Sequence, residues 1–102
     1  MKETKLSEKP KAYWIANVTV TDPEAYKGYQ DIAPAAFQKF GARFLARGEA
    51  ETLEGHPWQR RVIIEFDSIE DARACYASDE YRAARERRRD ACQADIALIE
   101  GV

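Results

Sequence analysis

Four polar residues on two strand-like segments carry the most chemistry in this sequence: Tyr13 and Asn17 in one, Arg61 and Glu65 in the other. A carboxylate facing a partly apolar enclosure has its pKa raised toward neutral and can serve as a general base, which makes Glu65 the candidate catalytic residue. Arg61, with Arg43 or Arg47 nearby, can hold a substrate carboxylate through paired hydrogen bonds. Tyr13 or Asn17 would orient the bound molecule. If the two segments run as parallel neighbours, Asn17 and Glu65 come within side-chain reach. The bland alternative is structural: Glu65 pairs with an arginine across a subunit seam.

A second group is Tyr26, Tyr29, Tyr76 and Tyr81, which fall on helical stripes. Phenols on an inner stripe can ring a pocket for an aromatic molecule, or pack as core with their hydroxyls on solvent or backbone. Five arginines stand in the eight residues Arg82–Arg89. A solvated helix face is the favoured reading, and a site for an anionic partner the alternative. Arg85 and Arg88 lie nearest Tyr81 by periodicity, so one of them can reach inward to an anion in the pocket. His56, the one histidine, sits in a Gly-His-Pro turn and reads as an exposed hairpin tip rather than an acid–base group. With two unrelated thiols it makes no zinc set, so no metal is expected. A Gly-rich phosphate loop and a nucleophile–base pair are both missing, and no cofactor is expected.

The elements that must position these groups follow from patterning. Tyr13–Val20 alternates as a strand, with Trp14, Ala16 and Val18 on one face and Tyr13, Ile15 and Asn17 on the other. Asp22-Pro23-Glu24 starts a helix with a cap, a first-turn proline and a carboxylate at the positive end. Its stripe runs Tyr26, Tyr29, Ala33, Phe37, Phe40; Pro34 predicts a kink or split near Ala33, and Gly41 a stop. Arg43–Gly48 reads as a second strand, with an irregularity at Gly48 past which Glu49–Gly55 extends it. Arg60–Phe66 is a third strand, with Val62, Ile64 and Phe66 on one face. Ser68 caps a helix, Ser78 caps another over about Glu80–Cys92, and Ala94–Glu100 closes as a strand.

That order, β-α-β-β-α-β, predicts an α+β ferredoxin-like domain: a four-stranded antiparallel sheet, first and third strands central, helices on one face. The opposite face, with Tyr13, Ile15, Asn17, Leu45, Arg61, Ile63 and Glu65, is too apolar for water and too polar for a core. A second copy covering it, as a sheet-to-sheet homodimer, is the simplest expectation. Residues 1–11 read as a mobile N-terminal arm and 12–102 as the single domain.

The 102 residues are 45% hydrophobic and 33% charged with net charge −2, which fits one globular domain and argues against nucleic-acid binding. No apolar run is long enough to cross a membrane. Two cysteines without a leader-like N-terminus give a cytoplasmic expectation with no disulfide.

Several runs together resemble a known family: Ala12-Tyr13-Trp14-Ile15-Ala16, Asp22-Pro23-Glu24-Ala25-Tyr26, Gly41-Ala42-Arg43-Phe44-Leu45-Ala46-Arg47-Gly48 and Leu53-Glu54-Gly55. Val62-Ile63-Ile64-Glu65-Phe66 and Tyr76-Ala77-Ser78-Asp79-Glu80-Tyr81 complete the set. The sequence is similar over about Ala12–Val102 to short bacterial proteins known only as a domain of unknown function, within the dimeric α+β barrel superfamily. Ala42 and Glu49 depart from it, standing where the family often has the second glycine of a pair. The resemblance implies paired ferredoxin-like sheets and no settled activity, so it lends no catalytic residues. Cofactor-free monooxygenases, muconolactone-isomerase-like enzymes and haem-degrading enzymes share the superfamily, an analogy of fold alone. The resulting expectation is a small aromatic or carboxylate-bearing ligand, bound or transformed between sheet and helices. A non-catalytic binding or interaction module is the alternative.

Overall fold

The computed structural model describes residues 9–102. Seven elements follow one another: β1 (Ala12–Val20), α1 (Pro23–Lys39), β2 (Arg43–Glu49), β3 (Arg60–Phe66), α2 (Ile69–Ala77), α3 (Asp79–Arg87) and β4 (Cys92–Glu100). The sheet runs β2-β3-β1-β4, so the first and third strands are central as expected. Every neighbouring pair is antiparallel. Of the predicted arm, residues 1–8 lie outside the described residues. Lys9 and Lys11 reach Glu70 and Asp67.

Alternation decides which face is core. Trp14 and Ile64, cross-strand partners, are each 1% exposed, and Ala12, Phe66, Ala72, Cys75 and Tyr81 are fully buried with them. Trp14 organises this layer: its ring packs edge-on against Phe37 at 5.1 Å and Tyr81 at 5.0 Å, and stacks with Phe66 at 6.0 Å.

The caps behave as their residue types require. Asp22 accepts from the Ala25 N–H, and Ser68 from that of Asp71. Ser78 serves two helices at once: its hydroxyl donates to the Cys75 carbonyl at the end of α2 and accepts from the Tyr81 N–H at the start of α3. The second of the two predicted helices, expected over about Glu80–Cys92, runs from Asp79 and stops at Arg87. Asp90, in the left-handed region at φ 62°, turns the chain into β4, which begins two residues earlier than expected.

Three local expectations are corrected. Helix α1 runs unbroken through Pro34 instead of splitting near Ala33. Pro34 and Gln30 are both exposed, so the carbonyl that loses its donor sits where water can reach it. The sheet irregularity falls between Phe44 and Ala46, at Leu45, and not at Gly48. Strand β2 ends at Glu49, without the extension to Gly55.

Candidate functional site

The antiparallel register separates the residues that a parallel pairing would have joined. Tyr13 stands opposite Glu65 and Asn17 opposite Arg61, so Asn17 and Glu65 are four positions apart along the ladder. At roughly 3.3 Å per residue they are beyond side-chain reach. Glu65 accepts hydrogen bonds from Arg43 Nε at 2.8 Å and from the Tyr13 hydroxyl at 3.3 Å. Arg43 also donates to Asp67, which Lys11 joins at 3.1 Å. The Arg43 guanidinium holds the Glu65 carboxyl below the usual carboxylate range, and Lys11 and Arg43 do the same for Asp67. The expected upward shift of Glu65 is thus reversed in sign.

Both carboxyls contribute stability that is present above their ordinary pKa range and lost as pH falls through their lowered folded values. The Arg43→Gln variant is therefore expected to flatten the loss of Tm on acidification from about pH 5 downward. The pairs are exposed, so the shift should be a few degrees at most; Tm followed by circular dichroism against pH checks it.

Arg61 is engaged elsewhere. It donates to Thr52 Oγ1 and to the His56 carbonyl, both at 3.3 Å, pinning the β2–β3 loop. His56 is exposed in that loop and packs edge-on against Trp58 at 4.5 Å. Tyr13, Asn17, Arg61, Arg43 and Glu65 therefore share the sheet face away from the helices, and Tyr26, Tyr29, Tyr76 and Tyr81 lie on the other side.

On that helix side a cavity of about 160 Å³ opens between α1 and the sheet. Its floor is Trp14, Val62 and Ile64, and its walls include Tyr26, Tyr29, Phe37 and Phe44. Glu65 and Arg61 do not line it. Two cations do: Arg47, a carboxylate-holding candidate from the sequence, stacked over the Phe44 ring at 4.7 Å, and Arg60, which the sequence did not single out. Among the described residues Arg43, Arg82 and Arg89 hold carboxylates, whereas Arg47 and Arg60 pair with none. The cavity continues past Tyr26, Gln30 and Arg60 into a wider hollow of about 380 Å³ bounded by Lys27, Glu49 and Gln59.

The tyrosines divide between these roles. Tyr26 and Tyr29 line the cavity with ring centroids 5.3 Å apart. Tyr81 stands behind them, its hydroxyl 2.9 Å from that of Tyr29. Burial pushes all three phenols above the ordinary tyrosine value. Tyr76 is outside the cavity, accepting from Arg85, whose guanidinium stacks on its ring at 4.6 Å. Arg88 is the arginine that turns inward, 5.3 Å from the Tyr29 ring centre.

Among the described residues no group of three metal-ligating side chains occurs, and no helix is long and apolar enough to cross a membrane.

Comparisons with known proteins bear on the fold. A protein of unknown function from Rhodopseudomonas palustris superposes with a TM-score of 0.76 at 17% identity, covering 93% of this chain and 85% of its own. SnoaB, a cofactor-independent oxygenase from Streptomyces nogalater, gives 0.64 at 12% identity, covering 88% and 91%. A dimeric protein of unknown function with a ferredoxin-like fold from Bacteroides fragilis gives 0.63 at 16%, covering 88% and 95%. No curated protein matches. The family profile described as a domain of unknown function, DUF1330, matches residues 11–102, and the chain belongs to that family.

Proposed function

We propose that this protein binds, and in its cellular setting transforms, a small aromatic molecule bearing a carboxylate, in the cavity between α1 and the sheet. The observation that carries this is the pair of cations, Arg47 and Arg60, beside an aromatic-lined cavity and without carboxylate partners among the described residues. An apolar recess with a few convergent polar groups is the ordinary form of a small-molecule site. The rings of Tyr26, Phe37 and Phe44 suit a planar ligand, and the two guanidinium groups suit its acid. SnoaB, an oxygenase on the same fold, supports the chemistry as an analogy only.

Titration calorimetry with 2-naphthoate tests this reading. Saturable binding is expected, weakened about tenfold or more in the Arg47→Gln/Arg60→Gln double variant, since charge-assisted hydrogen bonds contribute about 1.5–3 kcal/mol. Absence of saturable binding, or an affinity indifferent to both arginines, overturns it.

The opposite sheet face belongs to a second copy in this reading. Leu45, Ile63 and Ile99 are 54%, 37% and 56% exposed, a concentration of apolar surface that a monomer would leave wet. Glu65, already held by Arg43 and Tyr13, then fits the border of that seam better than it fits a base. The Bacteroides fragilis relative, described as dimeric, supports the pairing. Two free thiols, Cys75 buried with its pKa pushed up to about 12 by that burial and Cys92 half-buried, suit a reducing compartment such as the cytoplasm.

A further inference from the structure

The hydroxyl pair behind the cavity has a direction, and the direction makes Tyr29 a donor. Tyr81 is fully buried, and its oxygen lies 2.9 Å from that of Tyr29, its one side-chain partner among the described residues. Arg88 also stands against this pair: its guanidinium is 5.3 Å from the Tyr29 ring centre and donates to Cys92 Sγ at 3.7 Å. A guanidinium carries donors only. It therefore offers the pair no acceptor, and the buried Tyr81 proton has the Tyr29 oxygen as its one side-chain acceptor among the described residues. In the reverse arrangement Tyr29 would donate to Tyr81, and the Tyr81 proton would be buried, facing a cation, with no acceptor. With Tyr29 accepting, its own proton has no acceptor among the described residues, and Tyr29 lines the cavity.

We propose that Arg88 and Tyr81 hold Tyr29 with its O–H free for the cavity, where it hydrogen-bonds an oxygen of the ligand. The ligand is then an aromatic compound carrying an ionisable hydroxyl or enolisable carbonyl besides its carboxylate. This rests on the small-molecule reading of the cavity and names the second group recognised there. The Tyr81-to-Tyr29 bond strengthens the one that Tyr29 makes, because a hydroxyl that accepts a hydrogen bond is a better donor. Negative charge developing on that ligand oxygen is stabilised where it forms. The other titratable or charged groups around the tyrosine cluster are Tyr26 on α1, Tyr76 on α2, Arg60 on β3 and Cys92 on β4.

The probe is 4-hydroxy-3-nitrobenzoate, whose phenol changes colour on ionising and whose carboxylate suits the arginines. Binding is read by quenching of Trp14 fluorescence in a Trp58→Phe background, and ionisation by absorbance of the saturated complex against pH. The bound phenol is expected to ionise about one unit lower than the free probe. In Tyr29→Phe, and in part in Arg88→Gln, that shift should shrink toward zero, because Arg47 and Arg60 hold the carboxylate end and remain. A bound probe that ionises like the free one, or a shift that survives in Tyr29→Phe, overturns the inference while leaving the cavity reading standing. No saturable quenching at all overturns both.

Discussion

Replacing Trp14 by alanine is expected to lower stability by about 3–5 kcal/mol, the range for deleting a large buried aromatic side chain. The residue is 1% exposed and its ring meets Phe37, Phe66, Tyr76 and Tyr81 with centroids 5.0 to 6.0 Å away. Those partners come from α1, β3, α2 and α3, so one truncation opens a void touching every helix. Small domains are stable by only about 5–15 kcal/mol, so the loss is a large fraction of the total. Urea denaturation at fixed protein concentration should show the midpoint fall by a third or more, with the near-UV aromatic signal weakened before the transition. Trp14→Phe keeps part of the contact and should fall in between. An unchanged midpoint in Trp14→Ala would mean that the aromatic layer is not what closes this core.

Residue parity explains what was legible in the sequence and what was not. A sheet with one buried face forces alternate residues inward, so Trp14, Ala16, Val18, Ile64 and Phe66 could be assigned to the core from their spacing, and they are buried there. The same parity placed Arg60 on the inner face, two positions before Val62. An arginine at a strand end is ordinarily solvated, so parity alone does not mark it as a cavity residue. Arg47 was legible as a carboxylate holder beside Arg61, but its face was not. It lies three positions after Phe44, which strict alternation sends to the opposite face, and only the bulge at Leu45 returns it to the cavity side. No residue type marks that bulge; the glycine three positions on, at φ 147°, drew the expectation instead. The antiparallel direction of β1 on β3 followed from the predicted topology, but the register did not, since a slip of two residues preserves the same alternation. Helical periodicity, by contrast, narrowed the inward arginine to Arg85 or Arg88, and Arg88 is the one set against the Tyr29 ring.

In the proposed homodimer, a lysine at Ile63 is expected to convert dimer to monomer without loosening the core. Ile63 stands opposite Ile15 on β1 and Ala46 on β2, in the middle of the face turned away from the helices. Its neighbour Ile64 points the other way and is 1% exposed, so the substitution leaves the Trp14 layer untouched. A two-fold interface brings each substitution in twice, placing two like charges in one desolvated seam. Leaving such charges unpaired costs about 3–5 kcal/mol, which corresponds to a dissociation constant raised more than a hundredfold. Sedimentation velocity at micromolar concentration should find the parent chain at twice the mass of the variant, with identical near-UV circular dichroism. An Arg82→Glu change on the exposed face of α3 should leave the dimer intact. A parent chain that sediments as a monomer would mean that the face carrying Leu45, Ile63 and Ile99 is covered by something other than a second copy.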